Sequence, residues 1–490
     1  MDRQRNRQLS QRKNDKYNTL ILSGMEIPDS VYTQKKAQEN QSKMAETPVP
    51  SLILSLSVST VITMLVATTY NIVATYFVAD LGESAVAAVG LMFSVMALIQ
   101  AVGYTWGMGA GSEIARLLGQ RNKRAAEQTL ATALATLATA LAGGVVSGVV
   151  LAVVFGIFRS EIVSLLGATD TSQELAEQYG IYIMMGAPVM CGAYVLNNAL
   201  RAEGQPYLAL MGIVAGGVTN AVLDYVLIKV LGFGIGAAGI ATFAGQAVSL
   251  VIMYACVRAR FSMVRLHIGD LWKFKGAVQV VRIGMPSFLR QGLMCVAAVL
   301  LSRSCRRYGD TVLANITVAN KIFAVVFAVL VGYGQGFAPV CGFAYGAKTY
   351  RRVKRSLNFT MATSVVFMVM VGGMSYLWAD RLCGVFMEDA GLAAFSLRAH
   401  AVSMPFSAVC LVMGMYYQAL GAYGKATLIS ALRQGVFFIP LIWLLPVWYG
   451  EHGVAIVQAA ADILSGITAL VFWFICQRTF RTQMKNSQCR

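Results

Sequence analysis

Beyond residue 50 the chain alternates between apolar stretches and short polar connections. Each stretch runs for about 20 residues or more, enough as a helix to cross a hydrocarbon core of about 30 Å. The pattern predicts spans near 52–78, 86–113, 127–157, 178–200, 207–230, 236–258, 279–305, 312–342, 356–378, 398–421, 426–447 and 453–476, twelve in all. Residues 1–48 are rich in Gln, Asn, Lys and Arg and hold no such stretch, which reads as a disordered tail. The predicted fold class is an all-α membrane protein.

A repeat supports the count. Shifting the sequence by 227 positions sets Gly82 on Gly309, Glu83 on Asp310, Gly107 on Gly334, Gly109 on Gly336, Gly119 on Gly346 and Arg124 on Arg351 without a gap. Further on, a shift of 220 sets Ala199, Leu200 and Gly204 on Ala419, Leu420 and Gly424. The chain therefore divides into a six-helix lobe over 49–258, a linker over 259–277, a second six-helix lobe over 278–478 and a short tail over 479–490. Six is even, so both lobes enter the membrane from the same side. The repeat is parallel, with its pseudo-twofold axis along the membrane normal. Two such bundles meet at a central cleft, and transporters of this plan expose the cleft to each side in turn.

Composition agrees with a membrane solvent. The 490 residues are 57% hydrophobic and 13% charged, with mean hydropathy +0.61. The net charge of +17 would suggest nucleic acid in a soluble chain. Here the basic residues cluster between spans: Arg116, Arg121, Lys123 and Arg124 after the second; Arg258, Arg260, Arg265, Lys273 and Lys275 after the sixth; Lys348, Arg351, Arg352, Lys354 and Arg355 after the eighth. All follow even-numbered spans, whereas the opposite connections carry Asp80, Glu83, Glu161, Asp170, Glu388 and Asp389. Arg303, Arg306 and Arg307 depart from the trend. The positive-inside rule puts both termini in the cytoplasm of a cell-membrane protein and leaves no role for a nucleic acid partner. Nine scattered cysteines lack CxxC or Cys/His spacing and read as packing residues, not a zinc site or a disulfide framework.

The glycines of GYTWGMGAG (103–111) and GYGQGF (332–337) lie in apolar helices and end in no Gly-Lys-Ser/Thr, so they read as close helix contacts rather than phosphate loops. Chemistry points elsewhere. Within GIVAGGVTNAVLDYVLI (212–228), Asp224 is the one acid. An acid at the centre of a bilayer costs roughly 2.5–3.5 kcal/mol on insertion scales and usually serves an ion, a proton or a ligand. Asn220 lies one turn away on the same face, and Thr242 with Gln246 makes a matching stripe on span six. Their oxygens suit Na+, and a buried carboxyl can equally hold a proton. A fixed hydrogen-bonding role between helices stands beside both. Span five runs outward, placing Asp224 roughly 9 Å from its outer end and Thr242 at the same level.

The second half is not chemically equivalent, since Leu444 and Pro440 stand at the positions of Asp224 and Asn220 under the 220 shift. It carries instead Arg290, Gln291, Lys321, Arg433, Gln434 and Asp462. These read either as an interior in which Asp462 neutralises Lys321 or an arginine, or as long side chains reaching a span end. Asn71 is a further polar position on span one. Abundant Met and aromatic residues in the spans, Tyr194 and Phe327 among them, suit varied apolar cations.

The segments MLVATTYNIVATYFVADLGESAVAAVGL, LRAEGQP, TNAVLDYVLI, IGMPSFLRQ, GQGFAPVCGFAYGAK and ALRQGVFFIPL, in that order, strongly resemble the multidrug and toxic compound extrusion (MATE) family of the bacterial MepA-like and DinF-like kind, over about residues 47–478. The resemblance implies two six-helix lobes in a V and efflux of small organic cations driven by H+ or Na+, with no cofactor. It also implies a cation site in the amino-terminal lobe to which Asn220, Asp224 and Thr242 correspond. The family's acid on the first helix is absent, because the chain reads Asn71-Ile72-Val73-Ala74-Thr75. Tyr225 replaces a proline after the acid, and Ser59 stands opposite the Pro286 of the second half.

These readings converge on a monomeric antiporter in the lipid bilayer that exports organic cations in exchange for H+ or Na+. A lipid-linked substrate flippase is the alternative, expected to have a wider and more basic cleft. An enzyme is not expected: HExxH, GxSxG and paired catalytic acids are missing from the sequence.

Overall fold

The computed structural model describes residues 42–79, 81–120, 126–167, 170–258, 276–387 and 390–488. Residues 1–41 of the predicted 1–48 tail, the basic residues Arg121, Lys123 and Arg124, most of the 259–277 linker, and Asp80, Glu388 and Asp389 lie outside them. The last part of that tail is ordered, with residues 42–46 helical, Met44 buried and Arg352 donating to the Met44 and Thr47 carbonyls. Among the described residues, ten helical stretches are long and apolar enough to span. One of these holds two helices, and a bent pair adds another, which gives twelve.

The first lobe consists of α1 (Val49–Ala79), α2 (Glu83–Gly119), α3 (Ala126–Ile157), α4 in two parts (Asp170–Met185 and Ala187–Ala202), α5 (Pro206–Asp224, continuing as a π-helical turn, Tyr225–Val230) and α6 (Ile235–Arg258). The second consists of α7 (Ala277–Cys305), α8 (Asp310–Gly346), α9 (Tyr350–Leu377), α10 (Gly391–Ala419), α11 (423–449) and α12 (451–488). In a bilayer each span must satisfy its own backbone groups, so apolar sequence folds as helix even where Gly and β-branched residues are frequent.

Two predicted spans take unexpected forms. The fourth is bent by 48° at Gly186, and the last two abut at Gly450 (φ 58°, ψ −134°). The chain doubles back there so tightly that a Cβ on Gly453 would fall 2.2 Å from the Leu445 carbonyl oxygen.

The repeat is visible in the backbone. Helices α2 and α8 are both 37 residues long and start at positions 227 apart, each preceded by a glycine of one conformation, Gly82 (φ 103°, ψ 169°) and Gly309 (φ 104°, ψ 166°). A side chain would strain that left-handed φ. Short helices also recur 220 positions apart after the third and ninth spans, at Arg159–Leu165 and Ala379–Gly384. α1 packs on α8 and α7 on α2, so each lobe presents its first helix to the other's second.

Burial is distributed unevenly along the membrane normal. One core draws on both lobes near the basic connections, with Leu52, Ile114, Leu118, Val280, Phe337 and Phe343 among its members. The remaining cores belong to single lobes, one around Met92, Phe155 and Ile183 and others around Phe438, Met404 and Leu397. The lobes are thus joined at the basic end and separate beyond it. Exposed apolar side chains such as Val153, Val369 and Phe474 form the outer face that lipid covers.

A central cavity between the lobes

The lobes enclose a cavity of about 430 Å³ lined from both sides. On α2 the lining residues are Phe93, Met96, Gln100 and Tyr104, spaced as one helical face, and on α6 they are Thr242, Gln246, Ser249 and Met253. The contacts that seat the lobes on each other lie toward the basic end. Thr60 donates to the Gly332 carbonyl (2.6 Å) and Ser57 to that of Tyr333 (3.2 Å), while Gln291 donates to Gln100 (2.8 Å).

Of the residues picked out in the sequence, Asn220, Thr242, Gln246, Arg290, Gln291, Arg433 and Gln434 all line this cavity. Asn220 donates to the Thr242 hydroxyl at 3.4 Å, and Thr242 donates to the Ala238 carbonyl at 3.0 Å. This alignment depends on glycine. A Cβ on Gly216 or on Gly245 would fall 2.6 Å from the other's carbonyl oxygen, so α5 and α6 cross backbone to backbone one turn from Asn220.

Asp224 lies one turn further along α5, is 1% exposed, and does not line the cavity. Neither carboxylate oxygen has a hydrogen-bond partner among the described residues. Such a group is far from neutral in cost: a buried charge without a partner is penalised by several kcal/mol. The next residue, Tyr225, opens the π-helical turn, a distortion common at functional sites. That turn meets the end of α1, where Tyr225 packs edge-on against Phe77 (centroids 6.3 Å apart) and Lys229 lies 5.2 Å over the Tyr76 ring. Ala74 is partly buried one turn before Phe77. Asn71 lies in α1, but its side chain is outside those described.

On the opposite wall the charges are paired. Asp462 is fully buried and accepts from Arg433 Nε at 2.5 Å, Gln458 at 2.8 Å and Ser407 at 2.8 Å. The Arg433 guanidinium also stacks 4.0 Å over the Phe327 ring. Arg433, not Lys321, is therefore the partner of Asp462.

The expectation that Lys321 belongs to the polar interior is corrected. It is exposed, about one turn before Ala324 on α8, and is not among the residues that line the cavity. An ammonium is strongly hydrated, and that position leaves it in reach of water.

Several polar cavity residues escaped the sequence reading, Gln100, Asn197, Arg201 and Gln335 among them. Arg201 is 4% exposed and hydrogen-bonds through its guanidinium to the side-chain oxygen of Gln335. The predicted span ended at residue 200, which put Arg201 in a loop, and Gln335 was hidden inside a run read for its glycines. The available signal was the spacing of Asn197 and Arg201, four apart on one face of α4.

The family model described as MatE matches residues 30–226 and 286–444. The multidrug export protein MepA of Staphylococcus saprophyticus is 23% identical over 429 residues, spanning 86% of this chain and 93% of that protein. MepA of Staphylococcus aureus is 24% identical over 440 residues, spanning 88% and 94%. Among solved structures, a MATE in complex with MaL6 superposes with a TM-score of 0.82 at 23% identity, over 90% of this chain and 99% of that one. An outward-facing multidrug resistance MATE family transporter of the MOP superfamily gives 0.78 at 23% identity, over 90% and 98%.

Proposed function

The chain belongs to the MATE family, and from that premise we propose that it is a multidrug efflux transporter, exporting amphipathic organic cations in exchange for H+ or Na+. The observation that carries the antiport reading is Asp224, a buried carboxylate with two unpartnered oxygens, one turn from the Asn220–Thr242 pair in the cavity wall. A proton or a cation relieves that cost, so an ion gradient can bias the state of this lobe. With alanine at position 74 a single acid must bind the ion, which suits H+ better than Na+, whose coordination asks for several hard oxygens.

The basic connections are cytoplasmic in this reading, so the cleft between the lobes faces outward. Ion uptake at Asp224 repacks α1 against α5 and α6, narrows the amino-terminal wall and releases cargo outward. Return of the ion to the cytoplasm follows rocking of the lobes about their joined end. The chain acts as a monomer in the cell membrane, and the residues proposed to meet cargo are Gln246, Arg290, Gln291, Arg433 and Gln434.

The test uses the purified chain in proteoliposomes. Ethidium movement that follows an imposed pH gradient supports the reading, and a response to a Na+ gradient alone would reassign the ion. Ethidium that equilibrates regardless of either gradient contradicts antiport.

The lipid-linked flippase is a second reading, favoured by the three arginines of the lining. The cavity's volume falls in the range of drug-sized sites. A flippase would confer no ethidium resistance on overexpression.

A further inference from the structure

Residues 42–46 form a short helix ahead of α1, and Pro48 shapes its end. In a continuing helix the Met44 carbonyl would accept from the amide four residues on, but that residue is Pro48, which has no N–H. Arg352, in the first turn of α9, supplies a donor instead. Its Nη2 donates to the Met44 carbonyl at 2.8 Å and to the Thr47 carbonyl at 2.7 Å. Carbonyls at the end of a helix lack partners in their own chain, and a guanidinium is a strong one.

The Met44 side chain is anchored elsewhere. It is 5% exposed and belongs to the core drawn from both lobes. Its Sδ would lie 3.2 Å from a Cβ on Gly204, the left-handed glycine (φ 78°) that turns the chain from α4 into α5. The segment is therefore tied to the first lobe through Met44 and the start of α1, and to the second through Arg352. Opening the cavity to the cytoplasm requires the basic ends of the lobes to part, because they are joined there. Gly204 would move with the first lobe and Arg352 with the second, so so short a segment cannot keep both anchors.

We propose that residues 42–47 form a clasp across the cytoplasmic ends of the lobes, which must release one anchor before the cavity opens inward. The proposal rests on the rocking motion of the efflux reading and adds a device that sets its balance. Loss of either anchor removes the same clasp, so the two losses overlap rather than add. A brace serving one lobe alone would change stability and leave the balance of states where it was.

The experiment measures the distance between spin labels on Arg258→Cys and Tyr423→Cys by double electron–electron resonance, in the purified full chain with its nine native cysteines replaced. Both positions are exposed at the basic ends, one at the end of α6 and the other at the start of α11. Arg352→Gln is expected to raise the ratio of long to short distances about tenfold, the effect of losing a charge-assisted hydrogen bond. Met44→Ser should shift the ratio in the same direction, and the double variant should go no further than the larger single shift. Arg351→Gln, which removes an exposed charge beside Arg352, should keep the parent distribution. Lower melting temperatures in Arg352→Gln and Met44→Ser with unchanged distances overturn the clasp, as do shifts that add in the double variant. The response of the parent to pH and to ethidium is scored separately. If the parent distances respond and the two variants match the parent, the efflux reading stands without the clasp. Distances that respond to neither condition nor variant remove both.

Discussion

Gly119 and Gly346 occupy equivalent places in the two repeats and make the same contact in opposite directions. A Cβ on Gly119 would fall 2.1 Å from the Phe343 carbonyl oxygen, and one on Gly346 would fall 2.0 Å from the Arg116 carbonyl oxygen. The shift of 227 carries 116 to 343 and 119 to 346, so the pseudo-twofold axis passes between them. α2 and α8 thereby meet backbone to backbone at the basic end, where no side chain could intervene.

Gly346→Val is expected to wedge this seal. Overpacking of that kind costs about 1–3 kcal/mol, read as a lower melting temperature in detergent. In a background keeping only Cys341, which is fully buried close by, thiol labelling should rise. Gly373→Val on α9 is the control, since a Cβ there meets nothing within 4 Å.

The Arg433–Asp462 pair yields a second prediction. Asp462→Asn leaves a largely buried guanidinium without its counter-charge, and breaking such a pair costs about 3–5 kcal/mol. Arg433→Met combined with Asp462→Leu should recover most of the loss, because a matched apolar pair is often neutral. Thermal unfolding of the parent, Arg433→Met, Asp462→Leu and the double variant measures the coupling, and additive losses would show the two side chains to be independent.

The sequence made the spans legible because hydropathy reports how much apolar surface a helix offers to lipid. It made the repeat legible because glycines at helix crossings cannot vary freely when backbones touch, as at Gly109, Gly119, Gly336 and Gly346. It was silent on the bend at Gly186 and on both π-helical turns, Tyr225–Val230 and Leu432–Phe437, since these depend on neighbouring helices rather than on local propensity. Asn220, Thr242 and Gln246 could be aligned from spacing alone. Which residue Asp462 would meet could not, because Arg433 and Lys321 differ in the direction their helix faces, which is a property of the packed lobe.

Gly245→Val should uncouple the amino-terminal wall. Its side chain would press on the Gly216 carbonyl oxygen and on Asn220 Cβ, 3.0 Å from an added Cβ, moving Asn220 away from Thr242. The expected result is folded protein with retained dye binding but transport reduced about tenfold or more, since a misplacement of about 1 Å can cost 10²-fold in a positioned site. Transport at the wild-type rate would show that the Asn220–Thr242 contact is dispensable.

Ala74→Asp tests the meaning of the missing acid. A second carboxylate near the α1–α5 contact adds a hard oxygen ligand and a negative charge, which favours Na+. Ethidium transport in the variant should acquire a Na+ dependence that the parent lacks. An unchanged ion dependence would mean that position 74 does not face the ion site.

The most direct measurement is the gradient dependence of ethidium transport by Asp224→Asn in inverted membrane vesicles, with expression matched to the parent. The amide keeps the shape of the side chain and removes its ability to exchange a proton or neutralise a cation. The predicted result is loss of gradient-driven transport in a folded, dye-binding protein. Transport that still follows the imposed gradient would contradict the assignment of coupling to Asp224.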